Sequence, residues 1–270
     1  MSYIPQLMSG RSLLHNGVNE KQWVSRGSDT YVELFEDFHG VAGALSSYHS
    51  GFAYTEAGTS SAQSGLLIDA ADGVVRLLHT TASNTTQACL LSASASSPIA
   101  AVDSDGNSNE VVLEVRAKIT LSTDTAFDAS SIYSVYIGLW RPTAVSASAT
   151  LVDGVADNAA FFLGGISGTN SIFLETDDAS TGDDNDDVDS GIDFTSGTYH
   201  VYKIDMTDLT NVRFFVDGVD ANNGNKFDMS AIGATDYLEP FVLFSRTDTG
   251  GTERAHSMDI DYIKCTWKRS

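Results

Sequence analysis

Carboxylates are the commonest reactive groups in this chain, with 36 Asp and Glu against 15 Lys and Arg and a formal net charge of -21 over 270 residues. Hydrolysis of a glycosidic bond with retention needs two carboxyl groups about 5 Å apart, one as nucleophile and one as acid and base. On a strand such a pair must occupy alternate positions, because only those project to one face. Two segments come near. In ELFEDF, Glu33 stands with Glu36 and Asp37, but Glu33 and Glu36 are three apart and point to opposite faces of a regular strand. In DIDYI, Asp259 and Asp261 share a face but lack a third carboxylate and any Glu. Solvent-facing strand residues are the expected account of both, and no catalytic residue is assigned.

Metal and nucleophile chemistry finds little more support. The six histidines, His15, His39, His49, His79, His200 and His256, show no close ligand spacing, and no Ser occupies a nucleophile-elbow sequence. His200 alternates with Tyr202 and Ile204, which predicts a hydrogen-bonded, partly buried imidazole rather than a base. Asp183, Asn185, Asp187 and Asp189 sit at alternating positions, similar to the oxygen ligands of a calcium loop, but Val188 stands where that loop wants Gly and Phe194 where it wants Glu. Asp103, Asp105, Asn107 and Asn109 form a second weak match. The expectation is no metal and no cofactor, with calcium at these loops as the weak alternative to a solvated acidic run.

The elements that would position such groups are strands. Val111, Leu113, Val115, Ala117, Ile119 and Leu121 alternate with Val112, Glu114, Arg116, Lys118 and Thr120, the period of a half-buried antiparallel strand. Similar runs recur from residue 31 to the end, among them VVRLLHTT, IYSVYIGLW, AAFFLGGI, YHVYKIDM and YLEPFVLFSR, joined by segments rich in Gly, Ser, Asn, Asp and Thr. Many short strands with such turns predict an all-β antiparallel sandwich. In the last strand the apolar set shifts from Met258, Ile260 and Tyr262 to Ile263, Cys265 and Trp267, which predicts a bulge near Tyr262. Tyr133, Tyr136, Trp140, Tyr237 and Trp267 could stack on sugars, although core packing is the expected role of most of them.

Length and composition set the remaining bounds. A chain of 270 residues can form one large all-β domain with a self-sufficient core. Cys89 and Cys265 are expected to be free thiols. The acidic balance argues against nucleic acid, which needs clustered Lys and Arg. No run of about eighteen apolar residues suits a membrane span, and no removable signal peptide is expected at the start. Residues 1–30 differ from the rest: their charge is +1 against -22 for the remaining 240. Their apolar residues Ile4, Leu7, Met8, Leu13, Leu14, Val18 and Trp23 keep no long period. This reads as a partner-docking arm at 1–30 ahead of a sandwich domain at 31–270, with a tail folded over its own domain as the rival.

YHVYKIDMTDLTNVRFFVDG from Tyr199 to Gly218, then EPFVLFSR and the closing DIDYIKCTW, resembles the concanavalin A-like lectin and glucanase jelly roll. ELFEDFHG with Tyr48 or Phe52 is similar to the opening of these domains. The resemblance implies a jelly roll over roughly residues 31 to 268 and a choice among lectins, glycanases, lyases and inert structural modules. The glucanase branch supplies Glu, Asp and Glu at alternating positions of one strand, and this chain has no such triplet. Phage virion proteins with such domains are the subset the chain most resembles. The expected function is a non-catalytic virion structural protein, a capsid decoration or cement protein made in the host cytoplasm. Its expected partners are the major capsid protein or other virion subunits and further copies of itself, as a dimer or trimer. Neither nucleic acid nor a membrane is expected. A carbohydrate-binding module of a tail or fibre is the first alternative, and a glycan hydrolase or lyase the second.

Overall fold

A computed structural model describes residues 7–8, 11–14, 22–26, 31–38, 43–44, 52–58, 63–68, 73–79, 86–93, 99–121, 131–142, 155–164, 170–178, 185–248 and 255–268. In chain order its strands are β1 (Leu7–Met8), β2 (Arg11–Leu14), β3 (Gln22–Arg26), β4 (Tyr31–Glu36), β5 (Gly43–Ala44), β6 (Ala53–Gly58), β7 (Gln63–Ile68), β8 (Val74–His79), β9 (Thr86–Ser92) and β10 (Ile99–Ala100). They continue as β11 (Val111–Thr120), β12 (Ser131–Trp140), β13 (Asp157–Gly164), β14 (Ser171–Asp178), β15 (Asn185–Asp193), β16 (Tyr199–Met206), β17 (Arg213–Val216), β18 (Val219–Asp220), β19 (Tyr237–Asp248) and β20 (Ser257–Lys268).

These strands form two antiparallel sheets. The first runs β1-β2-β3-β4-β20-β11-β16-β17-β18, with β8, β7 and β5 also reached from β20. The second runs β15-β14-β13-β12-β19-β9-β6, with β10 beside β19. The sandwich expected from the turn chemistry is therefore present, and the alternation in β11 sets its interior: Val111, Leu113, Val115, Ala117 and Ile119 are buried between the sheets. The FFVDG phrase closes a two-residue hairpin between β17 and β18. Its Asp217 and Gly218 both have positive φ, 51° and 79°, as a type I′ turn requires.

The change of phase in β20 is a bulge. Arg116 pairs with Tyr262 and Ala117 with Ile260, so Asp261 is the extra residue. Its position has a cause on the other edge of β20, where residues 257–260 pair with β8 and residues 263–268 with β4. One strand that serves two neighbours end to end must re-aim between them, and a bulge adds the needed twist.

The middle strands of the second sheet are buried on both faces. Val135, Ile137 and Leu139 face the inter-sheet core, while Tyr136 and Trp140 belong to a separate cluster on the outer side with Ala160, Phe162, Phe173, Phe241 and Leu243. Gly138 lies between the two outer aromatics, and a Cβ there would come within 2.4 Å of the Ala159 carbonyl oxygen and 2.7 Å of Ala160 Cα. Backbone cannot yield as a side chain can. Gly138→Ala is expected to cost about 1–3 kcal/mol, read as a lowered urea midpoint; an unchanged midpoint would contradict the packing described.

Candidate functional site

The outer face of the second sheet is where the fold brings carboxylates and aromatic rings together. Register sets the rows: Asp177, Asn158, Trp140 and Glu239 lie side by side, then Glu175, Ala160, Gly138 and Phe241, then Phe173, Phe162, Tyr136 and Leu243. Glu175 on β14 therefore shares a row with Ala160 and Gly138, and Glu239 on β19 lies in the next row beside Trp140, with two strands between β19 and β14. Trp140 stacks on Phe241 at 4.1 Å between centroids and Tyr136 on Phe162 at 4.7 Å. Such offset ring pairs add stabilisation beyond the area they bury.

Neither carboxylate is open to solvent: Glu175 is 2% exposed and Glu239 3%. Trp140 Nε1 donates to Glu239 Oε1 at 3.0 Å, and Glu239 Oε2 has no hydrogen-bond partner. Burial raises the Glu239 pKa, and the Trp140 hydrogen bond pulls the other way. Chemically this is a carboxyl biased toward its neutral form inside a closed aromatic layer. A substrate would first need that layer removed.

The residues singled out in the sequence have structural employment. Glu33 faces outward from the first sheet beside Lys264, 3.6 Å away. Glu36 and Asp259 correct the expectation of solvent-facing carboxylates. Glu36 is buried and accepts the Phe38 amide at 3.0 Å. Asp259 is buried because it is paired: Arg76 holds it through Nε at 2.6 Å and Nη2 at 2.8 Å, and Lys118 Nζ lies at 3.0 Å. Burial acts to raise the Asp259 pKa, but the Arg76 and Lys118 contacts outweigh it and hold the group below the usual carboxylate range. Asp261, the bulge residue, pairs with Arg116.

His200 has the expected bonded environment. Its Nε2 accepts the Thr195 amide at 3.1 Å, so Nδ1 carries the hydrogen and donates to Asp217 at 2.7 Å. Of the calcium candidates, Asp183 lies outside the described residues; Asn185 donates to the Thr176 hydroxyl and Asp189 accepts the Gly191 amide. At the other loop Asp103 accepts the amides of Asp105 and Asn107, and Asn109 is buried, donating to the Ala100 carbonyl. Among the described residues no group of three His, Cys, Asp or Glu is arranged to hold a metal. Asp187 sits in β15 at φ 51°. Both cysteine side chains are buried, and neither forms a disulfide.

Tyr136 and Trp140 are buried, Trp267 packs partly buried against the core, and Tyr237 is exposed; the Tyr133 side chain lies outside the described residues. In the leader, Leu7, Met8, Leu13, Leu14 and Trp23 fall in β1 to β3, which continue the first sheet from β4. Ile4 and all side chains of residues 1–30 lie outside the described residues, as do His15, His39 and His49. Glu175 and Glu239 were not singled out by sequence reading. Their signal was a lone Glu inside an apolar run, SIFLETD and YLEPFVLF.

No protein-family model matches the chain, and no curated protein matches it. Solved structures do. A protein of unknown function from Shewanella oneidensis MR-1 is 15% identical, with 98% of this chain and 97% of that one covered and a TM-score of 0.53. Lectin II from Ulex europaeus is 13% identical over 88% of this chain and 98% of that one, TM-score 0.56. Winged bean acidic lectin, solved with methyl-α-D-galactose, is 11% identical over 89% and 100%, TM-score 0.55. At these identities the likeness shows the fold, a concanavalin A-like jelly roll.

A last buried group gives the fold a pH dependence. His79 on β8 stacks on Phe244 of β19 at 4.1 Å, and its Nε2 hydrogen-bonds the Phe244 carbonyl oxygen at 2.9 Å, which leaves Nδ1 without a partner. Burial first, then the charge of Arg246, push its pKa down to about 3, against a weaker opposing pull from the Phe244 carbonyl. The unfolded chain takes up a proton near pH 6.5 and the folded one does not. Stability is therefore complete above that pH and falls by about 1.4 kcal/mol per unit as pH drops toward the folded value. His79→Leu should show a shallower slope between about pH 6.5 and 4.5 in chemical unfolding; equal slopes would contradict the assignment.

Proposed function

We propose that this chain is a non-catalytic structural subunit of a larger assembly, a virus particle and most specifically a bacteriophage head, where it decorates the shell and holds its subunits together. The observation that carries the non-catalytic part is the burial of Glu175 and Glu239 on the outer face of the second sheet, where the two strands between them hold them well beyond the ~5–9.5 Å that glycan hydrolysis uses. Catalytic acids and bases must come within hydrogen-bond reach of a substrate in a cleft with room for it. Here Glu239 is tied to Trp140, Asp259 to Arg76 and Lys118, His200 to Asp217, and His79 to the Phe244 carbonyl. What is left for function is surface. The leader strands β1 to β3, which extend one sheet beyond β4, are the segment assigned to grip neighbouring subunits. Apolar burial there would stabilise the shell by about 25 cal/mol per Å².

A second reading has one observation in its favour. Two lectins solved with galactose or methyl-α-D-galactose share this fold over 81% and 89% of the chain. The alternative is a carbohydrate-recognising module, also without catalysis.

Two measurements separate the readings. Quantitative mass spectrometry of purified particles from a phage carrying the gene should find the chain at a fixed ratio to the major capsid protein, and a chain lacking residues 1–30 should stay β-rich by circular dichroism yet fail to load onto particles. A glycan array, run with and without calcium, should be silent. Absence from particles together with a reproducible array signal would transfer the function to the second reading, and turnover on a polysaccharide panel would overturn both.

A further inference from the structure

On the outer face of the first sheet one cluster of cations outnumbers the carboxylates that hold it. Arg76 on β8, Asp259 on β20, Lys118 on β11 and Tyr199 on β16 stand in one row across four strands, and Arg116 lies two positions along β11 from Lys118. Among the described residues the three cations pair with two carboxylates, Asp259 and Asp261. Both acids lie beneath: Asp259 is 3% and Asp261 14% exposed, against 39% for Arg76 and 43% for Arg116. The next carboxylate along β11 on this face, Glu114, accepts the Tyr262 hydroxyl at 2.6 Å.

The geometry brings unused donors together. Arg76 gives Nε and one hydrogen of Nη2 to Asp259, which leaves Nη1 and the second Nη2 hydrogen, the end of the guanidinium fork, without a partner among the described residues. Arg76 Nη2 and Lys118 Nζ reach the same oxygen, Asp259 Oδ2, at 2.8 and 3.0 Å, so the ammonium stands beside that open edge. An ammonium carries three hydrogens, and Asp259 takes one. Tyr199 is the neighbour of Lys118 on the next strand, its ring centroid 4.7 Å from Nζ and 4.6 Å from the Arg116 guanidinium carbon. The Tyr199 hydroxyl makes no hydrogen bond with a described residue. Burial, then the charges of Asp259 and Asp261, keep it protonated, and so a donor.

We infer that Arg76, Lys118 and Tyr199, backed by Arg116, form a binding site for one compact oxyanion: a carboxylate, phosphoryl or sulfuryl group. Two cations side by side on one buried carboxylate leave positive charge at the surface. An oxyanion seated there accepts from the Arg76 fork, the Lys118 ammonium and the Tyr199 hydroxyl together, and charge-assisted bonds of this kind are the strong ones. Net charge limits the size of the ligand. A body at -21 repels a polyanion, whereas a single group meets mainly the charges within a screening length of about 8 Å. The inference goes beyond both functions proposed above, neither of which assigns a ligand to this sheet.

Nuclear magnetic resonance of the full chain tests it, following the Arg76 Nε–H and the backbone amides of Arg76, Lys118 and Tyr199 while sodium phosphate, sulfate or acetate replaces sodium chloride at constant ionic strength. At least one of the three anions should give saturable shifts centred on this row, with a dissociation constant of about 1 mM. The one bound most tightly identifies the ligand group as phosphoryl, sulfuryl or carboxylate. Tyr199→Phe keeps the ring and removes only the donor, and should weaken binding about tenfold; Arg76→Gln should abolish it. If Arg76→Gln loses its β-sheet circular dichroism, the wild type and Tyr199→Phe decide alone. Shifts that saturate in the wild type and weaken in Tyr199→Phe uphold the site. No saturable shift with any of the three anions, or a Tyr199→Phe chain that binds like wild type, would overturn the inference.

Discussion

Burial of the middle strands of the second sheet on both faces is the constraint from which the rest of the molecule follows. The inner side of that sheet packs on the first sheet, and on its outer side Tyr136, Trp140, Phe162 and Phe241 are buried and stack in pairs. A sheet in that position cannot offer a trough on its outer side while the layer is in place. It also tolerates no added bulk where strands crowd, which is why position 138 is glycine between Tyr136 and Trp140. Polar groups drawn into such a layer must find partners within it. Trp140 and Glu239 meet across neighbouring strands for that reason.

The first sheet has the complementary character. One side supplies the aliphatic half of the core, and the other carries a ladder of ion pairs and ring contacts exposed to solvent. The Asp259 cluster is its most buried member, fixed by two cations at the point where β20 passes from β8 to β4. Most of the remaining pairs are half-exposed and individually contribute little to stability.

Much of this was legible in the residues. The alternation from Val111 to Ile119 gave the inward and outward sides of β11 correctly, and the phase change in the last strand located the bulge to within one residue of Asp261. The short phrases of the resemblance led to the right fold. What escaped was contact between strands distant in sequence. Glu175 and Glu239 are 64 positions apart in the chain and come to the same outer face only through the order β14-β13-β12-β19. Runs such as AAFFLGG carried a hint, since an unbroken apolar strand is one with no wet side. The burial of Glu36 and Asp259 was misjudged for the same reason: a carboxylate reads as solvent-facing until the cation or amide that meets it from another strand is known.

Trp140 reports most directly on the closed outer layer, because its ring lies within it and shows no exposed surface. With Trp23 and Trp267 replaced by Phe, acrylamide quenching of the remaining fluorescence should be weak and the emission blue-shifted, as for an indole sealed among Phe241 and Glu239. Quenching as efficient as that of free tryptophan would mean that the face is an open groove, and the account of a sheet buried on both sides would be wrong.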